Sequence, residues 1–194
     1  DGTLSFHLPE KEGIDSYDYD PQNPSTHIID MSENEIEVPE DYTKEELRQD
    51  MLCYTSAPLE KDVVITGDLT ASLFISSDAP DTDFMVRLTD VDENGRSIKL
   101  ADGILSARYR NGFDHAEFLT PGEVVNLKIR TTKISNCFKK GHKIRITITS
   151  SAKNFVFPNS NTKGGYNSPD TAVARNTIHH GGNYPSKVTV RLEK

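Results

Sequence analysis

Apolar and polar residues alternate with a period of two along most of the chain after residue 50. The clearest run is His142-Lys-Ile-Arg-Ile-Thr-Ile-Thr-Ser150, which sets Ile144, Ile146 and Ile148 on one face and Lys143, Arg145, Thr147 and Thr149 on the other. Successive side chains of a strand point to opposite faces, so this pattern predicts a half-buried β-strand. The same reading gives strands at Asp62–Thr66, Leu69–Ser77, Phe84–Val91, Val124–Thr131 and Ser186–Leu192, with a short β-like opening from Gly2 to Leu8. The expected core is Leu69, Leu73, Ile75, Met85, Leu88, Ile104, Leu127, Ile129, Ile144, Ile146, Ile148 and Val188. Short strands rich in β-branched residues, separated by turns such as Asp92-Glu-Asn-Gly95, mean an all-β sandwich or barrel.

Two segments break the pattern. Residues 9–50 are polar and acidic, with Pro9, Pro21, Pro24 and Pro39 and few aliphatics. A loop of ~40 residues in a compact domain normally serves a function or meets a partner. This one is expected to depend on a neighbour for order, because ordering a chain without burying apolar surface is costly. Within it, Thr43-Lys-Glu-Glu46 has the form of a capping box and predicts a short helix to about residue 50. The second segment, between Ala152 and Asp170, is rich in Gly, Asn, Ser and Pro and predicts an irregular excursion at one end of the sandwich.

Composition narrows the picture. A chain of 194 residues is one domain or a tight pair, and no apolar run approaches the ~20 residues of a membrane span. Its start, Asp-Gly-Thr, reads as a piece of something larger and lacks the basic, apolar leader of a signal peptide. The net charge of −8 argues against nucleic acid and acidic lipid as partners. Residues 1–97 hold 24 acids and 6 bases, whereas residues 98–194 hold 6 acids and 16 bases. Two readings compete: the halves interleave, with opposite charges meeting across strands, or the basic half forms a face for an anionic partner. The first is expected, because the bases alternate with apolar residues inside strands. Cys53 and Cys137 have neither disulfide-framework nor metal spacing and read as small buried hydrophobes. With no usable Asn-x-Ser/Thr acceptor, a cytoplasmic origin is favoured and a secreted one stays open.

Candidate chemistry is sparse. A serine hydrolase of the α/β type needs Gly-x-Ser-x-Gly to hold its nucleophile on a strained turn, and the chain has none. Asp90-Val-Asp92-Glu-Asn94-Gly95 matches the start of a calcium loop, but Ala101 stands where the closing glutamate belongs. Asp78, Asp81 and Asp83 could offer oxygens to calcium, yet aspartates also cap turns through backbone N–H groups. The adjacent His179 and His180 would point to opposite faces of a strand, a poor metal spacing, and fit better as contacts to a partner domain. No catalytic residue, metal or cofactor is therefore expected.

At this point a resemblance emerges. Tyr17-Asp-Tyr-Asp-Pro21 with Asn23-Pro24, and Arg48-Gln-Asp-Met-Leu-Cys-Tyr-Thr-Ser-Ala-Pro-Leu59, are similar to segments of one family. So are Ser76-Ser-Asp-Ala-Pro-Asp-Thr-Asp-Phe84, Arg87-Leu-Thr-Asp-Val91, Asp102-Gly-Ile-Leu-Ser-Ala-Arg-Tyr-Arg110 and Pro121-Gly-Glu123. Phe138-Lys-Lys-Gly-His-Lys-Ile-Arg145, Ser150-Ser151 and Asn159-Ser-Asn-Thr162 complete the set. In this order they resemble the C-terminal domain of the X-prolyl dipeptidyl-peptidase and cocaine-esterase family of serine hydrolases. One departure stands at Ser25-Thr-His-Ile-Ile29, where the family often has a Gly-Gly pair.

The resemblance implies a single galactose-binding-like jelly-roll β-sandwich over residues 1–194, non-catalytic, packed on an α/β-hydrolase domain of the same parent chain. That parent would be a serine peptidase or esterase, with homodimerisation open. Tyr17, Tyr19, Pro21, Pro24, His179 and His180 are the expected contacts to the hydrolase domain. A free-standing carbohydrate-binding module, using Tyr166 or Tyr184, is the alternative, although such modules usually rely on Trp and the chain has none.

Overall fold

The computed structural model describes residues 2–29 and 39–193. Among these, ten strands form two sheets. They are β1 (Gly2–Thr3), β2 (Gly13–Tyr19), β3 (Met51–Thr55), β4 (Val63–Ser77), β5 (Asp83–Val91), β6 (Ser97–Ser106), β7 (Val125–Phe138), β8 (Lys143–Thr149), β9 (Ala174–His180) and β10 (Lys187–Thr189). One sheet has the order β1-β3-β8-β5-β6. The other runs β7-β4-β9-β2, with β10 bonded to β4 alongside β9. All neighbours are antiparallel except β1 and β3. From β2 to β9 the chain crosses repeatedly between two four-stranded sheets, which is the jelly-roll arrangement.

The alternating pattern dictates the core. Ile65, Leu73, Ile75, Leu127, Ile129 and Ile178 from one sheet meet Phe84, Val86, Leu88, Ile144, Ile146 and Ile148 from the other. Each such side chain contributes about 1.5–3 kcal/mol on full burial. Of the expected core, Ile104 and Val188 are only half-buried. Met85 is wholly buried but lies outside this cluster, one position out of phase with Phe84, Val86 and Leu88. The two strands expected at Asp62–Thr66 and Leu69–Ser77 are one strand, bent at a bulge between Asp68 and Thr70, with Gly67 at φ +102°. The opening strand stops at Thr3 and the last at Thr189, followed by an isolated bridge between Ile65 and Leu192.

The largest correction concerns residues 9–50. Gly13–Tyr19 is a full strand, paired with β9 along its length, and not a loop. Residues 30–38 lie outside the described residues. β5 is buried on both faces from Asp83 to Thr89, with the 159–166 loop covering the far face at Asp83 and residues 40–50 covering it at Arg87 and Thr89. Tyr42 N–H donates to the Ser97 carbonyl at 2.8 Å and Lys99 N–H to that of Glu40 at 3.0 Å, laying this backbone along β6. Farther along, β6 approaches β7 so closely at Gly103 that a Cβ there would sit 2.2 Å from the Arg130 carbonyl oxygen.

The helix expected from residue 43 is a single 3-10 turn, Glu45–Leu47, with no side-chain cap. Glu46 turns away from the backbone into the sheet. It accepts from Ser97 Oγ at 2.8 Å and pairs with Arg145. A second buried group ties the same segment down. Lys99 Nζ lies 2.6 Å from Glu40 and 3.2 Å from Asp102, while His27 Nε2 lies 3.1 Å from Asp102. The His27 ring stacks on Phe155 at 4.8 Å.

These pairs carry out the interleaving of the two charge halves. Asp18 with Arg175, Asp62 with Lys139, Asp68 with Arg130 and Asp81 with Arg108 extend it. Exposed pairs of this kind contribute little each, a median of about 0–1 kcal/mol. Buried ones chiefly prevent the larger cost of an uncompensated charge.

Candidate functional site

The long connections gather at one end of the sandwich. Residues 20–25, 78–82, 107–124 and 150–173 all leave strand ends there, whereas 92–96 and 139–142 at the other end are tight turns. A buried polar cluster holds the long loops together. Asp81 is fully buried and receives Arg108 Nε and Nη2, both at 2.8 Å. Asn159 Nδ2 donates to Asp81 at 2.6 Å and to Asp83 at 2.9 Å, and the Tyr166 hydroxyl donates to Asp83 at 2.8 Å. Arg108 also donates to the Thr162 carbonyl at 3.0 Å and lies over Gly165, whose φ of +59° and missing side chain leave room for it. Burial raises the Asp83 carboxyl above the ordinary carboxylate range, and burial likewise raises the Tyr166 hydroxyl, with the Asp83 charge adding to it.

This cluster builds a rigid platform, since each carboxylate is already claimed by named donors. The surface around it carries large apolar side chains. Phe113 and Phe157 are each 80% exposed, Val173 59% and Tyr166 47%. Arg108 and Lys163 stand over the Phe118 ring at 5.0 and 5.4 Å.

The residues picked out from sequence divide. Tyr17 and Tyr19 are buried inside the domain and offer no surface to a neighbour. The Tyr17 hydroxyl bonds Ser150 Oγ at 2.7 Å, and the Tyr19 hydroxyl donates to the Asn159 carbonyl at 3.3 Å. Their rings seal the inner face of β2, which is why a strand so polar in composition packs at all. Pro21 and Pro24 are half-buried at the long-loop end. His179 and His180 lie at the opposite end of β9, about 20 Å along the strand. His180 Nε2 lies 3.2 Å from Asp15, which also accepts from the Tyr54 hydroxyl at 2.9 Å. His179 Nε2 bonds Ser76 Oγ at 2.8 Å, and burial lowers its pKa, with His180 adding to the effect.

Among the described residues no carboxylate bonds His179 to orient it as the base of an acyl-transfer triad; the His179 ring packs on Tyr184. Asp92 accepts from the backbone N–H groups of Asn94 and Arg96, as a turn-capping aspartate does. Among the described residues no group of three or more His, Cys, Asp and Glu is placed to hold a metal ion, and no helix is long and apolar enough to cross a membrane. Sequence reasoning missed the Asp81–Asp83–Asn159 cluster. Its signal was present in Asn159-Ser-Asn-Thr162, where Asn161 sits at φ +62°.

The fold is a jelly roll whose long loops form an ordered platform at one end. The chain belongs to the X-Pro dipeptidyl-peptidase C-terminal non-catalytic domain family, whose model matches residues 1–189. It is 35% identical over 198 residues to the cocaine esterase of Rhodococcus sp. (strain MB1 Bresler), covering 100% of this chain and 34% of that protein. The crystal structure of an aminopeptidase from a marine sediment archaeon, Thaumarchaeota archaeon, superposes with a TM-score of 0.93 at 24% identity, covering 100% of this chain and 35% of that one. An alpha-amino acid ester hydrolase superposes with a TM-score of 0.91 at 22% identity, covering 99% and 35%. These two likenesses show the fold. The chain spans about a third of the length of each of these proteins, and the family match favours the accessory-domain expectation over a free-standing carbohydrate-binding module.

Proposed function

We propose that this chain is the C-terminal accessory domain of a serine hydrolase of the peptidase and esterase type, and that it braces an α/β-hydrolase domain of the same polypeptide. The observation that carries this is the full-length alignment of the chain with one third of an esterase. The long-loop end is the docking face, with Phe113, Phe157, Tyr166 and Val173 as its apolar contacts and Pro21 and Pro24 at its margin. Apolar patches on an ordered platform are the usual mark of such contacts. His179 and His180 form a second, smaller contact at the opposite end. The unpaired Cys53 and Cys137 support a reducing, cytoplasmic compartment.

The test is made on the full-length protein. It should hydrolyse p-nitrophenyl esters or X-Pro anilides, and a serine-directed phosphonylating agent should stop it. Phe113→Ser with Phe157→Ser should speed amide exchange in the loops at 107–124 and 150–173 and lower the temperature at which activity is lost. Phe6→Ser, at a residue 78% exposed outside that face, should do neither. Absence of hydrolysis overturns the parent assignment. Hydrolysis with identical exchange in the double variant overturns the docking face alone.

A further inference from the structure

Arg87 is 1% exposed and heads the side chains that the domain fully encloses. It projects from β5 on the face away from the apolar core, with its guanidinium carbon 3.7 Å from the centroid of the Tyr42 ring. Nη2 reaches the Met85 sulfur at 3.7 Å. Among the described residues Nε and Nη1 have no acceptor, and the hydroxyl of Thr147 has no partner either. Thr147 is itself 1% exposed and stands directly opposite Arg87 on β8.

The surrounding carboxylates are engaged elsewhere. Asp102, opposite Arg87 on β6, meets Lys99 and His27. Glu40 meets Lys99 and the Tyr42 hydroxyl, and Glu46 meets Arg145 and Ser97. Buried donors without acceptors are rare, and more costly when charged. A guanidinium can only donate, and the threonine hydroxyl is free to donate as well. The site therefore calls for an acceptor that the Arg87 Nε and Nη1 donors and the Thr147 hydroxyl can share.

The geometry points to a buried binding site for a monatomic anion of the halide class, held between Arg87 and Thr147 beneath Tyr42. The anion fastens the covering segment to the sheet, because Tyr42 lies over the group that binds it. A ligand that binds only the folded state stabilises that state by mass action. Small halides fit an enclosed site, whereas an anion the size of glutamate does not.

The full-length protein serves for the test. Crystals grown in sodium bromide should show an anomalous bromide peak within hydrogen-bonding range of Arg87 and Thr147. At fixed ionic strength, the melting temperature should rise when sodium glutamate is exchanged for sodium chloride or bromide. Thr147→Val keeps the shape of the site and should remove most of that rise; Arg87→Met should remove all of it. Should Arg87→Met fail to fold, the valine variant and the diffraction experiment decide. Water density with no anomalous signal, or a halide effect undiminished in Thr147→Val, overturns the proposal.

Discussion

Arg108 grips Asp81 side-on, with Nε and Nη2 each 2.8 Å from the carboxylate, and the backbone N–H of Arg108 donates to the other oxygen at 3.1 Å. The pair fastens the loop after β6 to the loop before β5. Removing the cation leaves a fully buried carboxylate with only Asn159 and backbone donors. Arg108→Met is therefore expected to cost about 3–5 kcal/mol, as breaking one side of a buried ion pair does. Urea denaturation measures this. A cost below about 1 kcal/mol would mean that the carboxylate finds water when the arginine is gone.

The two ends of the apolar core differ in depth. Ile146 is 2% exposed in the central cluster, whereas Val188 is half-buried at its margin. Ile146→Ala should cost about 2–5 kcal/mol, in the range of large-to-small core changes. Val188→Ala should cost distinctly less. Equal shifts of the denaturation midpoint would contradict this ordering of burial.

Acid stability depends on Asp102. Burial acts to raise its carboxyl, but the His27 hydrogen bond and the charges of Lys99 and Arg87 outweigh this and hold it below its ordinary value of 3.8. Between the folded value and 3.8 the unfolded chain binds more protons, so stability rises with pH across that window and is fully gained above it. The stability gap between wild type and Asp102→Asn should be widest above pH 3.8 and close as the pH falls below it. A gap that stays constant down to acid pH would remove this role.

Gly103 should tolerate no side chain. A Cβ there meets the Arg130 carbonyl oxygen at 2.2 Å and Thr131 Cα at 3.0 Å, both backbone atoms that cannot swing aside. Gly103→Ala is expected to cost about 1–3 kcal/mol through forced separation of β6 and β7. Thermal melting of the variant reads this directly.

The strands that sequence made legible are those whose two faces see different solvents. β8 alternates cleanly because Ile144, Ile146 and Ile148 face the core. β2 stayed hidden because its inward positions are Asp15, Tyr17 and Tyr19, whose hydroxyls and carboxylate enter polar networks and not an aliphatic core. Nothing local to Arg87 or Thr89 reveals that Tyr42 and Glu46, some forty residues earlier in the chain, fold over them, and nothing local to Asp83 reveals its cover by Asn159 and Tyr166; only the tertiary arrangement shows it. For the same reason Tyr17 and Tyr19 looked available to a partner when they belong to the domain's own interior. The alternation of charge between the two halves, by contrast, was readable and became the ion pairs of Glu40, Glu46, Asp62, Asp68 and Asp81.

The backbone that Glu40 to Tyr42 lays along β6 has a consequence for how copies of the molecule behave toward one another. An outermost strand with free N–H and C=O groups is a template on which a foreign strand can grow, and natural sheets blunt such strands to avoid aggregation. Here Ser97 and Lys99 are already bonded by Tyr42 and Glu40, and the β7 backbone presses against Gly103. The guard over β6 is thus a polar stretch of chain and not a property of the strand itself. Proteolytic nicking that frees residues 40–50 would uncover both the hydrogen-bonding groups of β6 and the buried Arg87 and Thr89 of β5, and is expected to promote self-association.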